Sequence, residues 1–215
     1  MSAQDNGAEQ AYRALEAMIT FQELAPGSLV SEAALMDRTG YGRTPVREAL
    51  QRLARERMVD IRPRRGVFIA QLSIESQLRL LELRRSIEVL AVRLAADRAE
   101  AAQIEAMLAL DEALAAFTGE DIRAFRPLVS QSHHLVAMAA HNEYLSVAVA
   151  PLQGLSRRFW FANLRDVAGE IRAGRDLHCG ILRAICQADA EKAAEASLRL
   201  NDYLTEFAYR TLHHR

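Results

Sequence analysis

Lysine is almost missing from this sequence. Of its 27 basic residues only Lys192 is a lysine and the rest are arginines. Cysteine is nearly as scarce. Cys179 and Cys186 lie seven apart in a stretch of helical periodicity, so they face the same way as reduced thiols and read as small buried hydrophobes. No apolar run approaches the ~20 residues that cross a bilayer, so no membrane partner is expected. The first ten residues are polar and acidic, without the basic segment and apolar core of a secretory signal. The expected compartment is the cytoplasm.

An excess of either charge is also lacking. The formal net charge is −1, so the total says nothing about nucleic acid and only the distribution can. Enzyme signatures are missing too. There is no His-Glu-x-x-His pair, no phosphate-binding glycine loop and no nucleophile motif, so the expectation is that the chain is not an enzyme. Half of the 215 residues are apolar, enough for a sizeable core in one large or two small domains.

Residues 8–24 read as a first helix, with Tyr12, Leu15 and Ile19 on one stripe. Pro26-Gly27 forces a turn. Ser31 is placed to cap a short second helix that runs to Thr39 and ends at Gly40. A third helix from Thr44 to Glu56 carries Val46, Leu50 and Leu53 at core spacing, with Pro45 acceptable in its first turn. The period then changes. Met58–Ile61 and Val67–Ile69 are β-rich runs around Arg62-Pro63-Arg64-Arg65-Gly66, which predicts a hairpin with a basic tip. Three helices, a tight turn and a hairpin make a winged helix-turn-helix over residues 8–72.

From Ser73 the reading is helical throughout, with segments at 73–98, 101–117, 121–140, 143–163, 167–187 and 189–212. Pro127 and Pro151 are expected to kink or restart their helices, and a break is expected near Gly169 or Gly174. The fold class is mainly α: an N-terminal winged helix-turn-helix, then an antiparallel all-helical bundle over 73–215.

Charge is concentrated in the first domain. Between Arg38 and Arg65 stand nine arginines (38, 43, 47, 52, 55, 57, 62, 64, 65) against Glu48, Glu56 and Asp60, a net of +6. Arg43 and Arg47 share one face at the head of the third helix, where such motifs reach base edges. An arginine fork suits guanine O6 and N7. The tip Arg64-Arg65-Gly66 is placed for phosphate contacts, which position without reading sequence. The expected DNA contacts are Arg43, Thr44, Arg47, Arg52, Arg64, Arg65 and Gly66.

Gly42-Arg43-Thr44-Pro45-Val46-Arg47-Glu48-Ala49-Leu50-Gln51-Arg52-Leu53, with Pro26-Gly27, Ser31-Glu32 and the Arg65-Gly66 wing, strongly resembles the GntR family of bacterial regulators. The resemblance covers about residues 10–70. It implies operator contacts at Arg43 and Arg47, and a homodimer on an inverted repeat of double-stranded DNA. Two positions depart from it: Gly42 replaces the usual serine, and Ala33-Ala34 follow Glu32 where an arginine is frequent.

The remainder is similar to the FadR-type (FCD) sensor domain through Glu82-Leu83-Arg84…Ile87-Glu88, His133 before Asn142, and His178…Ile181-Leu182…Asp189. That resemblance implies a small-molecule effector and, in many members, a metal held by an aspartate and three histidines. His133 and His178 match two of these histidines, whereas Val129 and Leu200 stand where the aspartate and the last histidine belong. Two neutral ligands are a poor set for a divalent ion, since zinc sites use at least three. The resulting expectation is no firm cofactor, at most a weakly held divalent metal at His133 and His178, and an effector site formed by Arg84, His133 and His178. Arg84 needs an anionic partner. Glu88 and a ligand carboxylate both qualify. Trp160, with Phe159 and Phe161, is a candidate cavity wall or core.

The expected function is a ligand-responsive transcription regulator, a repressor released by a small carboxylate. Two alternatives stand beside it: a helical metalloenzyme using His133, His134 and His178, and a dimeric DNA-binding protein with no sensor role.

Overall fold

A computed structural model of the chain describes residues 3–212 and divides it into two compact units. The first holds the residues up to Ser73 together with Gly154–Ala162. The second holds Ile74–Gln153 and the residues from Asn163 onward. The sequence reading placed 73–215 in one contiguous domain; the segment 154–162 departs from it by belonging to the first unit. Residues 213–215 of the expected second domain lie outside the described residues.

In the first unit, α1 (Ala3–Thr20) buries Ala11, Leu15 and Ile19. It stops earlier than the expected Leu24, because Gln22 turns to a φ of +59° and Gly27, at +80°, completes the turn. Ser31 caps α2 (Glu32–Thr39) by accepting from the Ala34 amide, and Gly40 ends it with a φ of +74°, its amide donating to the Met36 carbonyl. That is the left-handed cap that glycine provides. Helix α3 (Arg43–Arg55) buries Val46, Ala49, Leu50 and Leu53. Burying each of the valine and leucine side chains contributes about 1.5–3 kcal/mol.

The hairpin pairs β2 (Val59–Arg62) with β3 (Gly66–Ile69), antiparallel, with Asp60 opposite Phe68 and Arg62 opposite Gly66. A third strand was not foreseen. β1 (Leu29–Val30) pairs with the other edge of β3, giving the order β1-β3-β2. Two residues are too few to show a period. Gly66 makes the contact possible. Its φ is +112°, and a Cβ there would stand 2.7 Å from the Val30 carbonyl oxygen.

The second unit contains α4 (Ile74–Arg98), α5 (Ala101–Ala115), α6 (Ile122–Ala139), the first part of α7 (Glu143–Ala162), α8 (Val167–Cys186) and α9 (Ala190–Arg210). Acidic residues start several of these helices. Asp121, Asp166 and Asp189 each accept from a backbone amide of the following turn, and Glu100 forms a reciprocal box with Gln103. Helix α4 packs chiefly on α9. Both bury small residues, Ala91, Ala95 and Ala96 on one and Ala193, Ala194, Ala196 and Ser197 on the other, which lets the axes approach closely.

Pro127 and Pro151 lie inside continuous helices, so neither restarts its helix. The carbonyls deprived of a proline donor are those of Arg123 and Val147, both on the exposed side of their helices, where the lost bond costs least. The break expected near Gly169 or Gly174 falls instead at residues 163–166, ahead of the Asp166 cap, and both glycines lie inside α8. Among the described residues no helix is long and apolar enough to cross a membrane.

Candidate functional site

The charge of the first unit separates into committed and uncommitted arginines. Arg43 and Thr44 open α3 fully on the surface, and Arg47 lies one turn on. Arg47 approaches Glu32 at 3.7 Å with a side chain 61% exposed, a long and solvated pair that contributes little. Arg43, Arg64 and Arg65 have no side-chain hydrogen bond or ion pair among the described residues. Arg64 and Arg65 are exposed in the turn between β2 and β3, where the Arg65 amide donates to the Arg62 carbonyl and Arg64 takes a φ of +63°. Head of helix and tip of hairpin therefore present cationic donors that the protein itself does not use.

Arg52 is different. It was placed with the DNA contacts, yet it is tied to α1. Its Nη1 donates to Glu9 at 2.8 Å, its Nε to Glu56 at 3.2 Å, and its guanidinium lies 3.6 Å from the centre of the Tyr12 ring. The Tyr12 hydroxyl donates to Glu56 at 2.7 Å. Burial, and then the Glu56 charge, push that phenol well above its ordinary range. A guanidinium held by two carboxylates and a ring is occupied in joining α3 to α1. Arg38 and Arg62 are likewise engaged, Arg38 with the Glu23 carbonyl and Arg62 with Asp60 while stacked 4.2 Å over Phe68.

Two polar clusters lie inside the second unit. In one, Arg84 is 2% exposed and grips Glu88 one turn on: Nε donates to Oε1 at 3.1 Å, and Nη2 to Oε1 at 2.9 Å and Oε2 at 3.0 Å. Gln153 adds a third donor to Glu88 Oε1 at 2.9 Å. Glu88 is thus an anionic partner of Arg84. None of the Arg84 hydrogen bonds among the described residues uses Nη1.

In the other cluster the rings of His133 and His178 meet edge to face with centroids 5.0 Å apart, and Ser132 Oγ lies 3.1 Å from His178 Nδ1. The structure thus brings His133 and His178 together, whereas every Arg84 hydrogen bond goes to Glu88. His134 is exposed, and so is His141, which bonds Gln103. Val129 and Leu200 are buried hydrocarbon, and the neighbouring Asn201 donates to the Leu81 carbonyl at 3.3 Å. Among the described residues no three His, Cys, Asp or Glu side chains gather as a metal would need. The pair of imidazoles does not fit a divalent ion of the usual tetrahedral kind. Trp160 packs edge to face on Phe161 with centroids 4.9 Å apart, and Phe159, Trp160 and Phe161 are all buried in the first unit, as core.

The participation of Ser132, Gln153 and Glu9 was not foreseen. Nothing in the local sequence marks them. Each acquires its role from a partner at least 43 residues away.

Comparison with known proteins agrees with both halves. Residues 7–69 match the bacterial regulatory proteins of the gntR family, and residues 79–202 match the FCD domain. This chain belongs to the GntR family, in its FCD-containing branch. A GntR regulator of this branch binds DNA through the winged helix and a ligand through the helical domain. The galactonate operon transcriptional repressor of Escherichia coli is 28% identical over 209 residues, covering 85% of this chain and 88% of its own. The Nta operon transcriptional regulator of Aminobacter aminovorans is 32% identical over 145 residues, 66% of each chain. Among solved structures, E. coli McbR/YncC superposes with a TM-score of 0.80 at 18% identity, covering 99% of this chain and 100% of its own, a likeness of fold.

Proposed function

We propose that this GntR regulator is a repressor that binds an inverted-repeat operator as a homodimer and releases it on binding a small carboxylate. The observation that carries the DNA half is the set of uncommitted arginines. Arg43 and Arg47 at the head of α3 suit base edges, and Arg64 and Arg65 at the tip suit phosphate. Two such heads related by a two-fold axis read two half-sites of opposite sense. Apolar faces support self-association: Leu83 and Leu90, seven apart on α4, are 51% and 48% exposed, and Tyr144 and Val147 on α7 are 80% and 76% exposed.

The effector half rests on Arg84. Glu88, itself held by Gln153, fixes the guanidinium in one orientation, which leaves Nη1 as the donor for a carboxylate, with His133 and His178 as further hydrogen-bonding groups of the same domain. The galactonate operon repressor, whose name refers to a sugar acid, agrees with a carboxylate effector. Any metal at His133 and His178 would be weak and is not required. The experiment is a thermal-shift titration with galactonate, other sugar acids and dicarboxylates, with and without zinc. A carboxylate at ~100 times its dissociation constant raises stability by about 2.7 kcal/mol and should do so without metal. No stabilisation by any acid, or stabilisation only with zinc, would overturn the carboxylate reading.

A further inference from the structure

Arg158 is among the largest fully buried side chains, at 1% exposure. It belongs to Gly154–Ala162, the part of α7 in the winged-helix unit. Its Nη2 donates to the Ala70 carbonyl at 2.6 Å, and its Nε is buried with no hydrogen-bond partner. Among the described residues no carboxylate pairs with it, and burial alone draws its pKa down to about 10, so it keeps its charge at neutral pH. A buried cation without an acid is costly, so what it holds is informative.

It holds the root of the wing. Ala70 follows the last residue of β3, and its amide donates to the carbonyl of Met58, which precedes β2. Ala70 is thus the rung that closes the open end of the hairpin, opposite the tip with Arg64 and Arg65. The same piece of α7 meets this root again. A Cβ on Gly154 would lie 2.7 Å from Met58 Cε, Leu155 packs on the winged-helix core, and Arg157 pairs with buried Glu16 at 3.3 Å. A four-residue strand is about 13 Å long, so a tilt of ~10° at the root moves the tip by about 2 Å. That displacement is enough to break a phosphate hydrogen bond.

We propose that Arg158 is a positioning residue for DNA binding, which fixes the root of the β2–β3 hairpin through the Ala70 carbonyl and thereby aims Arg64 and Arg65 at operator phosphates. This rests on the reading that the tip touches DNA, and the test separates the two.

Affinity for an operator duplex is measured by fluorescence anisotropy against salt concentration for the full-length protein, Arg158→Met, Arg158→Lys, the Arg64→Ala/Arg65→Ala pair, and Arg158→Met combined with that pair. Each phosphate contact contributes about 0.9 to the slope of log affinity on log salt. Removing both tip arginines should lower the slope by about 1.8. Arg158→Met should lower it in the same direction and add nothing when the tip arginines are already gone, while Arg158→Lys, which keeps a donor for Ala70, should restore it. An unchanged slope in Arg158→Met, or effects that simply add, would overturn the role of Arg158. If removing the tip arginines leaves the slope unchanged, the wing reading itself fails. Should Arg158→Met not fold, Arg158→Gln, too short to span to Ala70, takes its place with the same two outcomes.

Discussion

Arg84 and Glu88, one helical turn apart on α4, face each other through three hydrogen bonds of 2.9–3.1 Å while both are almost wholly buried. A pair of this kind is worth little relative to a well-packed apolar pair, yet removing one partner strands the other charge. Arg84→Met should therefore cost about 3–5 kcal/mol, because Glu88 keeps only the amide of Gln153. Arg84→Met combined with Glu88→Leu should regain most of that loss. Thermal and urea unfolding of the two variants check this. Equal destabilisation of both would mean that the pair is not the source of the cost.

Arg52 and Arg64 should behave as opposites although both lie in the basic stripe. Arg52→Ala removes half-exposed ion pairs and a cation–π contact, a loss of about 1–2 kcal/mol in stability, with the salt dependence of DNA binding unchanged. Arg64→Ala should leave unfolding unaltered and reduce the salt slope by about one counterion. The Arg52 tie also has a pH signature. Burial raises the Glu9 carboxyl, but the hydrogen bond from Arg13 and the charges of Arg52 and Arg13 outweigh it, so its pKa lies below the ordinary value. A carboxyl depressed on folding stabilises above its unfolded pKa and loses that stabilisation as pH falls through the folded one. Wild type and Glu9→Gln should thus differ in stability at neutral pH and converge in acid below the ordinary carboxylate range. A difference that persists in strong acid would contradict the assignment.

Much of the winged helix was legible because its signals are local. Ser31 caps, Gly40 stops, and the i, i+4, i+7 spacing of Val46, Leu50 and Leu53 defines a buried face within a dozen residues. What was not legible depends on distant partners. The strand at Leu29–Val30 exists only because β3 offers it an edge. Arg52 looked like Arg43 until Glu9 and Tyr12 came up beside it. In the second unit Arg84 was identified as an arginine in need of an anion, and its spacing to Glu88 already named one candidate. That nine residues of α7 belong to the winged-helix unit has no local signature at all.

Two glycines discriminate strain from crowding. Gly40 and Gly66 both have positive φ, but a Cβ on Gly40 meets nothing within 4 Å, whereas one on Gly66 runs into the Val30 carbonyl. Gly40→Ala should cost only the left-handed backbone, about 1–2 kcal/mol. Gly66→Ala must also push β1 from β3, so it should be the more destabilising and should weaken DNA binding. Unfolding midpoints and operator affinity of the two variants check the order. A Gly66→Ala protein as stable as Gly40→Ala would show that β1 is not held there.

Cys179 tests the burial of the helical unit. Burial, then the hydrogen bond and charge of Asp111, push its thiol up to about 12. At pH 8 only about one molecule in ten thousand carries the thiolate that reacts with iodoacetamide. Mass spectrometry should find Cys179 unlabelled in the native protein and labelled after unfolding. Rapid native labelling would mean that α8 is exposed to solvent more than the structure allows.

The central claim is that the head of α3 reads the operator, and Arg47 tests it most directly. Its side chain lies on the exposed face with only a long contact to Glu32, so Arg47→Ala removes a reader without disturbing the fold. An operator recovered by selection from randomised duplexes should contain two half-sites in inverted repeat. Anisotropy titrations of wild type and Arg47→Ala on that duplex, and on versions with each base pair replaced in turn, measure both affinity and selectivity. The account predicts a loss of about 1–3 kcal/mol on the selected duplex, with discrimination relaxed at one position per half-site and unchanged elsewhere. Full affinity and undiminished selectivity in Arg47→Ala would contradict it.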